Sequence, residues 1–329
     1  MLKYIIKRLA LSVFILLGVS LIIYVLVRCM PVNYVEQKLS ALSGNSSLDA
    51  TAVEKMYEMY GLADDSFLGI LKGYGGWLSS LCRFDFGKSF VYGDSVLNVI
   101  VDHMGVSFAV AIIATVFEFL IAIPLGITAA THQYSLRDYI VTIFVMVGIS
   151  LPAFFFGQVL KNLLAMKLGW FPPSGLVDAT QSLTGMALLG DYFKHMFIPI
   201  LTVVILSIGG RMRMTRTNML EVLNSDYIRT ARAKGLKESK VIYKHAFRNT
   251  MIPLVTSLAG LLPSLFSGAI ITEQVFDLPG IGNVAFKAMM QADIPFIMGY
   301  NMFLAFLSVL GVLLADLMYA VVDPRVKLT

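Results

Sequence analysis

Residues 106–130 read VSFAVAIIATVFEFLIAIPLGITAA, a run in which Glu118 is the only ionisable side chain. Neither the alternation of a half-buried strand nor the narrow stripe of a surface helix runs through it. A stretch this long and this apolar is suited to cross the ~30 Å hydrocarbon layer of a bilayer as a helix. Working outward, comparable runs occur at Leu9–Val27, Tyr139–Ala165, Met251–Thr272 and Phe296–Val322. A shorter run, Met196–Gly210, is interrupted by Pro199 and spans if Arg211 and Arg213 snorkel toward the head groups. The expected fold class is an all-α polytopic membrane protein with six transmembrane helices and both termini on one side.

Composition agrees. Of 329 residues, 57% are hydrophobic and 14% charged, with a mean hydropathy of +0.76. Soluble domains carry nearer a quarter charged residues, so water is excluded as the solvent for this chain. The net charge of +5 does not point to nucleic acid, because the basic residues flank apolar runs, where they set membrane orientation. Lys3, Lys7 and Arg8 precede the first run, and Arg211–Arg248 carries ten Lys and Arg against Glu221, Asp226 and Glu238. The stretch from Pro31 to His103 leans acidic. These segments place both termini in the cytoplasm. The first run is too long for a secretion signal and lacks a small-residue cleavage site after it, so it reads as a retained first helix.

The chain divides into residues 1–30, the cytoplasmic N-terminus and first transmembrane helix; 31–105, an extracytoplasmic subdomain; 106–322, a five-helix core with a cytoplasmic loop at 211–250; and 323–329, a cytoplasmic tail. In the subdomain, Leu48–Tyr60 reads as a helix, with Ser47 or Asp49 at its start and Gly61 at its end. A second external loop near Leu168–Tyr192 carries Pro172, Pro173 and Gly175. Cys29 and Cys82 are too few for a disulfide framework or a metal site, though both fall on the external side, where one bridge is chemically possible.

Within the cytoplasmic loop, residues 225–235 predict a short capped helix. Ser225 or Asp226 can accept from the first free N–H groups, and Gly235 can take the left-handed conformation that ends it. Tyr227, Ile228 and Ala231 share one face, while Arg229 and Arg232 point elsewhere. Such a helix suits docking in a partner's groove; an ordinary basic loop that fixes topology has the same periodicity, and both readings stay open on spacing alone.

The run Asp226-Tyr227-Ile228-Arg229-Thr230-Ala231-Arg232-Ala233-Lys234-Gly235-Leu236, with His245-Ala246-Phe247-Arg248-Asn249 up to Pro253, resembles the cytoplasmic loop of ABC-importer permeases, specifically the dipeptide, oligopeptide and nickel branch and its first-permease type. The general motif begins Glu-Ala-Ala; Arg229, Thr230 and Ala231 stand there, a departure typical of the peptide branch. Further matches follow in order: Arg28-Cys29-Met30-Pro31, Phe84-Asp85-Phe86-Gly87-Lys88-Ser89, Trp170 to Gly175, Leu278-Pro279-Gly280-Ile281-Gly282 with Asp293-Ile294-Pro295, and Asp316-Leu317-Met318-Tyr319 with Asp323-Pro324-Arg325. Asp85-Phe86-Gly87 alone has the form of a kinase magnesium motif, but nothing else of a kinase is present.

The resemblance implies that Asp226–Gly235 couples ATP-driven closure of partner subunits to the pore, and that Pro279, Gly280, Ile281 and Gly282 form an external loop or gate. It implies as partners a second homologous permease, two cytoplasmic ATP-binding subunits and an extracytoplasmic substrate-binding protein, in the lipid of a bacterial or archaeal cytoplasmic membrane. Peptide is the first cargo; nickel or a metal chelate is the alternative. ATP and Mg belong to the partners, because this sequence has no Gly-x-x-x-x-Gly-Lys-Ser/Thr cradle, and no cofactor is expected on it. No catalytic constellation is evident. A channel or exporter would share the spans but not the loop motif, and an intramembrane enzyme would need paired groups beyond Glu118 and Asp316. Glu118, mid-span, reads as pore-lining or, in preference, protonated or bonded to a neighbouring helix. Asp316 reads as a helix-bonding residue near the cytoplasmic gate. Glu273 and Arg28 sit near span ends, where snorkelling accounts for them.

Overall fold

The computed structural model describes residues 2–29, 66–178, 180, 182–257 and 260–322. The expected helix at Leu48–Tyr60 and the Asp323-Pro324-Arg325 tail lie outside them. Among the described residues the chain is all-helical, apart from one isolated bridge between Lys88 and Ser95.

The helices are α1 Leu2–Arg28, α2 Phe67–Cys82, α3 Val96–Thr131, α4 Leu136–Ser150, α5 Ala153–Leu160, α6 Gly185–Leu223, α7 Asp226–Ala233, α8 Glu238–Lys240, α9 Arg248–Ser257, α10 Leu261–Phe266, α11 Ile270–Val275, α12 Ile281–Met290 and α13 Ile294–Val322. Lys161–Lys167 extends α5 as a π-helix, and Val241–Phe247 joins α8 to α9 in the same way. Among the described residues, four helices are long and apolar enough to cross a membrane: α1, α3, α6 and α13. A fifth crossing arises if α4 and the α5 segment together make one span.

Two expected spans therefore differ from a continuous helix. The run Tyr139–Ala165 bends by 104° between α4 and α5. Leu151 is extended (φ −86°, ψ 130°) ahead of Pro152, whose ring disfavours helical geometry in the residue before it. The run Met251–Thr272 divides into α9, α10 and α11, with Gly268 at φ +71° in the second break. That conformation costs glycine least. The run Met196–Gly210, by contrast, is the middle of α6, a 39-residue helix that carries Pro199 inside it. At 1.5 Å per residue α6 is about 58 Å long, well beyond the hydrocarbon thickness. It absorbs the end of the expected Leu168–Tyr192 loop.

The most extensive helix pair is α3 with α6. Small residues let the backbones close up. A Cβ on Gly126 would meet Thr215 Cβ at 2.7 Å and the Met212 carbonyl oxygen at 2.8 Å, and one on Gly209 would collide with Ile149 of α4. Three buried clusters bear on function. Val96, Ile100, Ile281, Ala288 and Phe296 join α3, α12 and α13. Tyr24, Trp77, Ile294 and Met298 join α1, α2 and α13. Ile127, Ala130, Met219, Ile228, Ala231, Val241 and Ala246 gather α3, α6 and the loop helix α7. Cys29 and Cys82 are free, exposed thiols, so the possible bridge between them is not formed.

Candidate functional site

The loop helix α7 starts after Ser225, which has extended backbone angles (φ −74°, ψ 152°) but does not cap through its side chain. Instead its carbonyl accepts from Ile228 N–H at 3.1 Å, and its hydroxyl donates back to Val222 O. Gly235, at φ +74°, ends the helix as its sequence suggests, with its N–H on Arg232 O at 2.9 Å. Orientation is where the face reading needs correcting. Ile228 is fully buried and Ala231 nearly so, both within the chain's own cluster against Ile127, Ala130 and Met219. The apolar pair is thus a root that holds the helix to α3 and α6, because short aliphatic side chains here have own-chain surface to cover. Tyr227, Asp226, Arg229, Thr230, Arg232, Ala233, Lys234 and Gly235 are exposed.

Arg232 does not project freely. Its Nη2 lies 2.7 Å from Glu238 Oε1, with Nε 3.2 Å from both carboxylate oxygens. Those hydrogen bonds hold the Glu238 carboxyl below the usual carboxylate range and raise the Arg232 pKa. Arg229 meets Asp226 at 3.4 Å on the open surface, a weak contact in water.

Three further ion pairs brace the helices above this loop. Glu118 of α3 accepts from Arg211 Nε of α6 at 3.0 Å, and Arg211 Nη1 donates to Ser257 Oγ of α9 at 2.6 Å. The guanidinium also lies 4.4 Å from the centre of the Phe119 ring. Arg211 therefore turns into the helix bundle instead of snorkelling outward, since a buried carboxylate offers it a better partner than the head groups. Asp138 at the start of α4 takes a two-point contact from Arg216 of α6, at 3.1 and 2.9 Å. Asp316 of α13 meets Arg8 Nε of α1 at 3.0 Å. The structure thus assigns a named partner to each of Glu118 and Asp316. Sequence reasoning missed the partners because each lies on a distant helix.

The segment Pro279–Gly282 opens α12 and is tied down by a residue the sequence left at a span end. Glu273 is fully buried, not snorkelling. It accepts from Ser107 Oγ at 2.7 Å, Ala269 N–H at 3.0 Å and Asn283 N–H at 2.9 Å. Ser107 Oγ in turn accepts from Ile281 N–H at 2.8 Å. The carboxylate thereby serves the free N–H groups at the start of α12, where negative charge is favoured. The glycines make room for it: a Cβ on Gly280 would lie 2.5 Å from Glu273 Oε2, and one on Gly282 2.9 Å. Beyond the other end of α12, Asp293 caps α13 through Phe296 N–H at 3.2 Å and receives Ser89 Oγ and, at 3.1 Å, Val91 N–H. Burial, then the charge of Asp293, raises the Tyr92 pKa.

Comparison with known proteins identifies the family. The family described as "Binding-protein-dependent transport system inner membrane component" matches residues 122–328, more than half of the chain. An oligopeptide transport system permease protein of Bacillus subtilis is 35% identical over 99% of this chain and 100% of its own length. A dipeptide transport system permease protein of Alkalihalophilus pseudofirmus is 31% identical, at 99% and 100% coverage. A putative peptide transport system permease protein of Brucella abortus is 32% identical over 98% of both chains. Among solved structures, the MetNI methionine ABC transporter in an inward-facing conformation aligns with a TM-score of 0.53 at 17% identity. That alignment covers 69% of this chain and 97% of the other, a likeness of fold alone. A chain with these helices and full-length relatives of these kinds belongs to the binding-protein-dependent transport system inner membrane component family, and is a multi-pass membrane protein.

Proposed function

We propose that this chain is one half of the transmembrane pathway of an ATP-driven importer of peptides, working by alternating access in a bacterial cytoplasmic membrane. In this reading the bent α4–α5 pair and the divided α9–α11 segment each make one crossing, giving six, with both termini in the cytoplasm as the basic segments require. A second homologous permease completes the pathway. Two cytoplasmic subunits bind ATP and Mg, and an extracytoplasmic protein delivers cargo to the Pro279–Gly282 side. Full-length relatives with peptide-transport names favour peptide over nickel or a metal chelate.

The observation that carries the reading is the division of labour within α7. Ile228 and Ala231 key the helix into α3 and α6, while Tyr227, Arg229 and Thr230 face outward. A push from a partner on the outer face therefore reaches two long helices without an intervening flexible joint. Asp226–Gly235 is the ATPase-coupling element in this account.

The test is reconstitution of the complex in lipid with its binding protein, followed by ATP hydrolysis and uptake of a labelled tripeptide. Tyr227→Asp combined with Arg229→Glu is expected to cut ATPase-subunit recovery and peptide uptake, with the melting temperature of this chain unchanged. Assembly and uptake at the level of the unaltered protein would remove the coupling assignment; uptake of nickel without peptide would remove the cargo.

A further inference from the structure

The acidic stretch after α1 reads as a water-exposed subdomain, and α2 departs from that expectation. Its sequence, FLGILKGYGGWLSSLC, has one charged side chain, Lys72. Tyr74 Oη lies 2.8 Å from Ser20 Oγ and donates to Leu17 O at 3.3 Å. Leu17 and Ser20 stand near the middle of the apolar run Leu9–Val27, not at its end. Tyr24 stacks on Trp77 with ring centres 6.0 Å apart and meets Tyr74 edge-on at 5.6 Å. The side chain of Tyr74 thus reaches bilayer depth alongside α1.

Helical periodicity divides α2 into three arcs. Ile70, Tyr74, Trp77 and Leu81 pack into the cluster shared with α1 and α13. The neighbouring arc holds Phe67, Leu68, Leu71 and Leu78, of which the first three are 74%, 77% and 50% exposed. Lys72, Ser79 and Ser80 occupy the remaining arc. The apolar surface of α2 is therefore wider than its protein contacts cover. At the same depth α1 also leaves Ile22 and Leu26 exposed, on the face that a span gives to lipid. Four glycines, Gly69, Gly73, Gly75 and Gly76, make this a poor helix in water. A low-water interface, where backbone groups lack an outside partner, favours the helical form.

We propose that α2 is an interfacial helix, seated in the leaflet at the C-terminal end of α1. Phe67 and Leu71 enter the acyl region and Leu68 lies at its border, while Lys72 reaches the phosphates from the edge of the polar arc. The helix anchors the segment that leads to Phe84–Ser89 at a fixed height above the membrane. This goes beyond the transport reading and does not depend on the cargo.

The experiment uses the full chain with its partner subunits in nanodiscs of phosphatidylethanolamine and phosphatidylglycerol. Cys29→Ser and Cys82→Ser supply a background in which spin labels are placed through Leu71→Cys or Ser79→Cys. Both labelled positions are partly or fully exposed, so the labels displace no core side chain. Collisions with oxygen should dominate at position 71 and collisions with a water-soluble nickel chelate at position 79. Equal access to the nickel chelate at both positions would place α2 in water and overturn the proposal. Exclusion of both reagents at position 71 would also overturn it, showing that a protein subunit covers the arc.

Discussion

Arg211 Nε lies 3.0 Å from Glu118 Oε1 across 93 residues of sequence, and the same guanidinium reaches Ser257. One side chain of α6 thus holds α3 on one side and the first piece of the divided α9–α11 segment on the other. Both charged side chains are mostly buried, at 16% and 11% exposure. The attraction between them offsets a desolvation cost that neither would bear alone.

Removing Arg211 should therefore be worse than removing both partners. Arg211→Met leaves an uncompensated carboxylate and is expected to cost about 3–5 kcal/mol, whereas Glu118→Leu with Arg211→Met should cost less than the single change. Thermal unfolding of the four proteins of the double-mutant cycle in one detergent measures this. A double variant less stable than Arg211→Met would show that the side chains matter for packing and not as a pair.

Glu273 should behave as a latch on α12. Glu273→Gln keeps the shape but replaces one accepting oxygen by an NH2 group, so that a donor faces a donor. Loss of one charge-assisted bond is worth about 1.5–3 kcal/mol. Hydrogen exchange at the amides of Ile281 and Asn283 is expected to accelerate, with exchange in α6 unchanged. Gly280→Ala should give the same local signature, because its Cβ takes the space of Glu273 Oε2 and Ser107 Oγ.

The root of α7 should be separable from its outer face. Ile228→Ala removes a fully buried aliphatic side chain, expected to cost about 2–5 kcal/mol, and should lower the melting temperature of this chain purified without ATPase subunits. Tyr227→Ala should leave that temperature unchanged.

These contrasts mark what the sequence makes legible. The apolar runs of α1, α3 and α13 declare themselves by length, and Gly235 announces a helix end that the backbone then adopts. Pro152 carried the signal for the 104° bend, but the hydrophobic run on either side of it masks the break. Ile228, Ala231 and Tyr227 share a periodic face in the sequence, yet periodicity does not tell an own-chain neighbour from a partner. Burial of Glu273 is invisible locally, since two of its side-chain and backbone donors, from Ser107 and Asn283, meet it only through tertiary packing. The partners of Glu118 and Asp316 were hidden for the same reason.

The Arg232–Glu238 contact predicts a pH response of definite sign. Hydrogen bonding by Arg232 lowers the folded-state pKa of Glu238 below its unfolded value. The contact therefore adds stability above the unfolded pKa, about 4.3, and loses it as pH falls through the lowered folded value. Carbon-13 NMR of glutamate carboxyls should find Glu238 titrating below the free value, and Arg232→Gln should return it to normal. The loop should show no response from this pair between pH 6 and pH 8.

The length of α6 has a mechanical consequence. A rod of about 58 Å that tilts by about 10° carries one end roughly 10 Å relative to the other. The helix ends at Leu223, two residues from α7, and it begins at Gly185 beside the opposite-side loop. Its ion pairs to Glu118 and Asp138, through Arg211 and Arg216, lie between those ends and nearer to Leu223. In the coupling proposed above, a stroke of a few ångströms applied at Tyr227 would be carried along α6 toward the far side of the bilayer, with Pro199 as the one break in its hydrogen-bond ladder.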